Sequence, residues 1–504
     1  LRPAHPRRDR NVPPRRRPDG CVLARRRGAR VTGRGLPSAG RPLVVVALAG
    51  VLAGALGVPA PTAAQVAPVD APFERDVDLP LAEEVAHFLD VADAFDEGDD
   101  LDVDVGIVFV RRLARGRVER ELGRAGRWGR VATRQRRTST LRLEVDVGLL
   151  PDLSLRFGLP IVLSDVRELD GPGGVSPEAL SARLSAPTAP DGAPVPLLSV
   201  PFRSAERSGV PSLELGLAWG PLNQARDRDL PTLVFLLTGR FAVSEPMGAC
   251  EAVETIDPSR GRVVENDCRE GREPGIGDGT HGLVAEVRTG WQSGQVEPFL
   301  GLRFDARWPV RSRARFQPAG DGAGYAETRP PWEVGMVAGG ALVPWRDPER
   351  FQRFEVDLRG SAAVRTAGRS FTPLFDALGT SEHPGLAGGR PACAGCPEAT
   401  PVEGLTDTST HLRLGGGLHL RLQAARYVRF SVGVDGAWAS THRLTGTPAC
   451  RSRGGADPGD PRGAGCPEGI SNPHHRSVID LPGSRFRLVN DLVFDLRARA
   501  TARF

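Results

Sequence analysis

His411, His419 and His442 lie close in sequence to Ser431, and a serine with a histidine in reach is the least that nucleophilic catalysis requires. The residue types are present, but the surrounding motifs are not. No nucleophile elbow and no metal-binding HExxH occurs in the chain, and a serine and a histidine on separate strands often meet by chance. The stretches "GPGGVS" and "GIGDGTHG" are glycine-rich, but each joins two strands rather than a strand to a helix, so neither is expected to cradle phosphate. No enzymatic activity is expected.

Seven cysteines occur, and Cys21 falls in a segment expected to be absent from the mature protein. The other six form local pairs, Cys250 with Cys268, Cys393 with Cys396 and Cys450 with Cys466, each inside a polar stretch rich in Gly and Pro. In an oxidising compartment that spacing predicts short disulfide staples in loops. Metal binding is the competing use, because "CAGC" is a CxxC and His474 and His475 follow Cys466. A zinc site would show two such pairs at regular spacing, so disulfides are expected over metal and no cofactor is expected.

The chain carries 66 basic residues, all of them Arg, and a formal net charge of +5. Much of the excess sits in residues 1–40, a basic extension expected to fall outside the mature protein, so no nucleic-acid partner is read from it. Residues 41–64 have the three parts of a secretory signal: Arg41, an uncharged apolar run from Leu43 to Val58, and small residues at Thr62, Ala63 and Ala64. The run is shorter than the roughly 20 residues of a spanning helix, so the product is expected to be exported with cleavage near Ala64. Residues 65–100 are acidic and are expected to be periplasmic, with a short helix around Leu81–Phe95, serving either as a plug or as a disordered leader.

From Leu101 to Phe504 the hydrophobic period changes to two. In "TLRLEVDVGLL" the apolar set Leu141, Leu143, Val145, Val147 and Leu149 alternates with Arg142, Glu144, Asp146 and Gly148, and after the turn "PD" the pattern resumes in "LSLRFGLPIVLS". Such alternation argues for strands with one apolar and one polar face. It recurs through twelve strand-length segments ending in "LVFDLRARATARF". The connections alternate between long polar stretches, around 111–138, 165–211, 246–280, 309–331, 372–409 and 442–484, and brief links at 151–152, 220–231, 293–295, 346–353 and 424–427. The fold expected is an all-β, transmembrane, antiparallel up-and-down β-barrel of about 12 strands, with long extracellular loops and short periplasmic turns. Tryptophans test this independently of the alternation. Trp219, Trp291 and Trp345 fall at turn ends of strands and Trp308, Trp332 and Trp438 at loop ends, as two interfacial belts require, with Trp128 alone in a loop. Trp345 is out of phase with Trp332, which implies a bulge or the end of regular pairing near Pro344.

The polar face defines a candidate lumen lining: Arg142, Glu144, Asp146, Arg156, Arg240, Arg303, Asp305, Arg307, Glu355, Asp357, Arg413, Arg421, Asp495 and Arg497. Both signs are interspersed, which fits a water-filled, weakly ion-selective passage or a lumen cross-linked by ion pairs. The ending resembles the C-terminal signal of bacterial outer-membrane proteins, an alternating strand closed by Phe504, which the barrel-assembly machinery reads. That resemblance implies the bacterial outer membrane as location, with its lipid and lipopolysaccharide as partners. Residues 141–245, through "GLLPDLSLRFGLPIVLS", "GVPSLELGLAWGPL" and "PTLVFLLTGRFAVS", resemble outer-membrane barrels grouped with the meta-pathway of phenol degradation, which implies admission of hydrophobic compounds. The function expected is a passive channel or uptake pore for an unknown small solute. The alternatives are a non-transporting surface barrel with stapled binding loops and a lipid-modifying enzyme of the outer membrane.

Overall fold

In the computed structural model, the described residues run from 103 to 503, apart from internal stretches of which the longest are 388–402 and 451–471. The basic extension, the signal, the acidic segment, Cys393, Cys396, Cys466 and Phe504 lie outside the described residues.

Twelve strands follow one another around a closed sheet: β1 (Val103–Leu122), β2 (Arg127–Leu150), β3 (Leu153–Asp170), β4 (Ser212–Leu222), β5 (Thr232–Ala242), β6 (Thr280–Gly290), β7 (Val296–Pro309), β8 (Glu333–Asp347), β9 (Gln352–Arg365), β10 (His411–Ala425), β11 (Val428–Ala439) and β12 (Phe486–Arg503). Each pairs antiparallel with its sequence neighbour, and β12 pairs with β1 from Asp104↔Arg503 to Arg120↔Phe486, so no strand edge of the wall is left open. Closure explains why the alternation persists to the last described residues. Every backbone group of a spanning strand needs a partner where water is absent.

The two faces sort by polarity through the first half of β9, from Arg353 to Leu358. Asp357 is 0% exposed, whereas its neighbour Leu358 is 52% exposed. Around the wall the outward set includes Ile107, Phe157, Leu215, Leu302, Leu418, Val432 and Phe494, all exposed. A surface of leucines over an interior of charges is stable against lipid and not against water. Trp219, Trp291 and Trp345 stand exposed at the turn ends and Trp308, Trp332 and Trp438 at the loop ends, forming the two belts. The expected bulge is present, as a register shift between Leu342 and Trp345 opposite β9.

Two expectations fail at the loop end of the first hairpin. The stretch 111–138 is not a long loop: β1 and β2 run on through it and turn at 123–126. Trp128 accordingly lies in β2, with the Arg487 guanidinium 4.1 Å above its ring, rather than in a loop. Polar sequence there misled because a strand that has left the membrane no longer needs an apolar face.

The loops at this end build a core of their own. Loop 171–211 carries α1 (Pro177–Arg183), capped by Ser176, whose hydroxyl accepts from Ala179 N at 3.3 Å; loop 366–410 carries α2 (Phe375–Gly379) and α3 (Pro384–Ala387); loop 440–485 carries α4 (Ser477–Asp480). Leu184, Leu197, Leu198, Leu374, Leu386 and Ile479 from these loops pack on Val118, Ala132, Leu169 and Leu488, which face inward at the ends of β1, β2, β3 and β12. The loops therefore fold over the inner wall as a cap.

Candidate lumen and its gates

All fourteen candidate lining residues stand on the inner face, as the strand register requires once Asp357 is placed inside. Most are joined in ion pairs. One ladder runs from β12 to β7: Arg499 to Glu144 at 3.2 Å, Glu144 to Arg142 at 2.8 Å, Arg142 to Glu214 at 2.7 Å, Glu214 to Arg240 at 3.3 Å and Arg240 to Asp305 at 2.9 Å. Arg303 and Arg307 also lean on Asp305, at 3.8 and 3.3 Å, and Arg156 pairs with Asp146 at 2.8 Å.

The ladder skips strands by one device used three times. Arg499 crosses Gly106, Arg142 crosses Gly158 and Arg240 crosses Gly282, each to an acid two strands away. A Cβ at Gly158 would stand 3.0 Å from Glu214 Oε2 and 3.2 Å from Arg142 Nη2, so glycine leaves the space through which the guanidinium passes. A second cluster closes the turn end on the β7 to β10 side. Arg353 meets Glu297 and Glu355, each at 2.7 Å, and Arg421 meets Glu355 at 3.0 Å and Asp357 at 2.5 Å. Arg353 and Glu297 are fully enclosed, with Phe299, Gln423 and Ala341 buried around them. A third joins Arg497 to Asp435 at 3.1 Å and Arg112 to Asp495 at 2.8 Å.

Between the cap and this packed turn end, the inner face is not packed over. The side chains of Arg303, Arg497 and Arg142 are 47%, 44% and 38% exposed, although all three point inward. Ser361, inward on β9, is exposed as well.

The cap is pinned by a buried charge pair that the sequence gave no reason to single out. Arg207, from loop 171–211, is enclosed completely and donates to both carboxylate oxygens of Asp376 on α2 and to Gly248 O at 2.7 Å. Asp376 also accepts from Cys250 N at 3.2 Å, so three loops meet at one carboxylate. Cys250 and Cys268 form the expected disulfide across the ends of the hairpin 250–257 and 261–268, and Cys450 is also disulfide-bonded.

The residues first considered for chemistry take other partners. His419 Nε2 lies 3.0 Å from Asp435 Oδ1, and its ring covers Gly433 rather than reaching Ser431. His411 and His442 stack with centroids 3.8 Å apart, and their Nδ1–H groups donate to Ser409 O and Ser440 O. Neither of these two rings meets Ser431 in a hydrogen bond among the described residues. In the cap, burial, reinforced by Arg369 and Arg476, drives the His474 imidazole down to about 2.

A closed twelve-stranded wall with an apolar outer band and aromatic belts defines an outer-membrane β-barrel, and the bacterial outer membrane is its location. No known protein family and no curated protein matches the sequence. Solved structures similar to the chain include an outer-membrane channel from Pseudomonas putida F1 (11% identity, TM-score 0.34, covering 82% of this chain and 97% of that one). A Pseudomonas aeruginosa FadL homologue is 8% identical, with TM-score 0.29 and coverages of 80% and 90%. The outer membrane protease OmpT from Escherichia coli is also 8% identical, with TM-score 0.25 and coverages of 80% and 97%. Likeness this distant decides no function.

Proposed function

We propose that the protein is a passive outer-membrane channel for small solutes and acts on them without covalent chemistry. The observation that carries this reading is the exposure of inward guanidinium groups at mid-height, 47% for Arg303 and 44% for Arg497, because side chains pointing into a filled barrel would be enclosed like Arg353. Hydrophobic compounds are the finer form of the proposal. The resemblance of residues 141–245 to outer-membrane barrels grouped with the meta-pathway of phenol degradation supports it.

A second reading, a surface barrel that does not transport, draws support from the cap itself, whose core and buried Arg207–Asp376 pair would hold the mouth shut. Liposome swelling separates the two. The channel reading expects uptake of small uncharged sugars above that of empty liposomes, and faster uptake once the cap is loosened by Asp376→Asn. No uptake by either protein favours the surface barrel.

A further inference from the structure

Arg365 ends β9 on its inner face, and in the strand register it stands between Glu333 of β8 and His411 of β10. Glu333 is already engaged, accepting from Arg413 at 3.1 Å. Asp305, the next acid, serves Arg240 and Arg307. Among the described residues Arg365 makes no ion pair and no side-chain hydrogen bond, and its half-buried guanidinium feels the like charges of Arg307 and Arg413 together with the attraction of Glu333 and Asp305, acids that are bonded to other arginines. The stacked rings of His411 and His442 form the adjoining wall. With their Nδ1–H groups spent on backbone carbonyls, these imidazoles supply no counter-charge. Arg134 approaches from β2, since it and Arg365 both act electrostatically on His442.

A half-buried arginine near other arginines, whose nearest acids are bonded elsewhere, lacks the close partner that a charge drawn out of water normally takes. A planar fork of N–H donors is matched best by a carboxylate, which takes two parallel hydrogen bonds. We infer that the upper lumen around Arg365, beneath the cap, is a binding site for the carboxylate of a small organic acid. The inference rests on the channel reading, because the acid must enter the lumen to reach Arg365. It also amends the weak ion selectivity expected from sequence: the wall mixes signs, but Arg365, which has no ion pair among the described residues, favours anions.

Benzoate is the probe, titrated into purified full-length protein by calorimetry and compared with benzyl alcohol and inorganic phosphate. Wild type is expected to bind benzoate saturably and benzyl alcohol at least about tenfold more weakly, as losing a charge-assisted hydrogen bond implies. Arg365→Gln should weaken benzoate by a similar factor and Arg365→Lys by less. Arg137→Gln, which removes the same charge from the outer face, should change nothing. The site is overturned if benzoate does not bind, if Arg365→Gln binds as wild type does, or if Arg137→Gln weakens binding equally. Phosphate binding as tight as benzoate would overturn the carboxylate assignment. Conductance of the same samples keeps the two proposals apart. A conducting protein without Arg365-dependent binding sinks the site alone, and a silent protein that binds benzoate sinks the channel alone.

Discussion

Asp376→Asn should open the cap while leaving the barrel intact. Arg207 has three acceptors, two carboxylate oxygens of Asp376 and the carbonyl of Gly248 at 2.7 Å, and it is enclosed completely. Asparagine keeps one oxygen but removes the negative charge, so a guanidinium is left buried without compensation. Breaking a buried pair from one side costs about 3 to 5 kcal/mol. Retention of the Gly248 contact and one oxygen places the change toward the lower figure, which is about a hundredfold in the opening equilibrium. Hydrogen exchange reads this directly: the amides of Cys250 and Leu378, which bond to Asp376 and Leu374, should lose protection by about two orders of magnitude. Amides of β6 and β10 should not change, because their partners lie in the wall. Unchanged exchange in the cap, or an equal loss in the strands, would refute the assignment of Arg207–Asp376 as a pin local to the loops.

Three further outcomes are expected. Leu418→Arg, outward between Leu358 and Val434, should cost about 2 to 4 kcal/mol in denaturant unfolding from lipid, whereas Ser361→Arg on the inner face should cost less; equal losses would contradict the faces. Gly158→Val should cost about 1 to 3 kcal/mol by driving Arg142 off Glu214, and a Glu214→Gln background should remove most of that effect. Acid should loosen the cap: the unfolded His474 takes up a proton below about 6.5 while the folded ring resists to about 2, so stability falls as pH drops through that interval. Limited proteolysis at pH 7 and pH 5 should show this, and His474→Gln should flatten the difference.

The wall was legible from sequence because lipid on one side and water on the other impose a strict period of two, which Leu141 to Leu149 and Leu155 to Leu163 display openly. Faces followed, and with them the inward orientation of the fourteen candidates. Partners did not. Pairings such as Arg142 with Glu214 depend on which residue intervenes, and Gly158 looks in sequence like any strand glycine. Gly415 shows the same limit: its inward position suggests tolerance of a side chain, yet a Cβ there would meet Ser361 Oγ at 2.7 Å and Gly436 O at 2.9 Å. The cap was hidden because its core is assembled from scattered leucines such as Leu184, Leu374 and Leu444 in three separate polar loops, with no local periodicity to betray it. Arg207 and Asp376, 169 residues apart, carry no sequence signal at all.

Single-channel recording in planar bilayers tests the central claim most directly, with wild type and Asp376→Asn measured side by side from preparations shown to be folded. The account predicts discrete conductance steps in wild type, and larger or longer openings once the cap is unpinned. Silence from both folded proteins would contradict a solvent-filled passage.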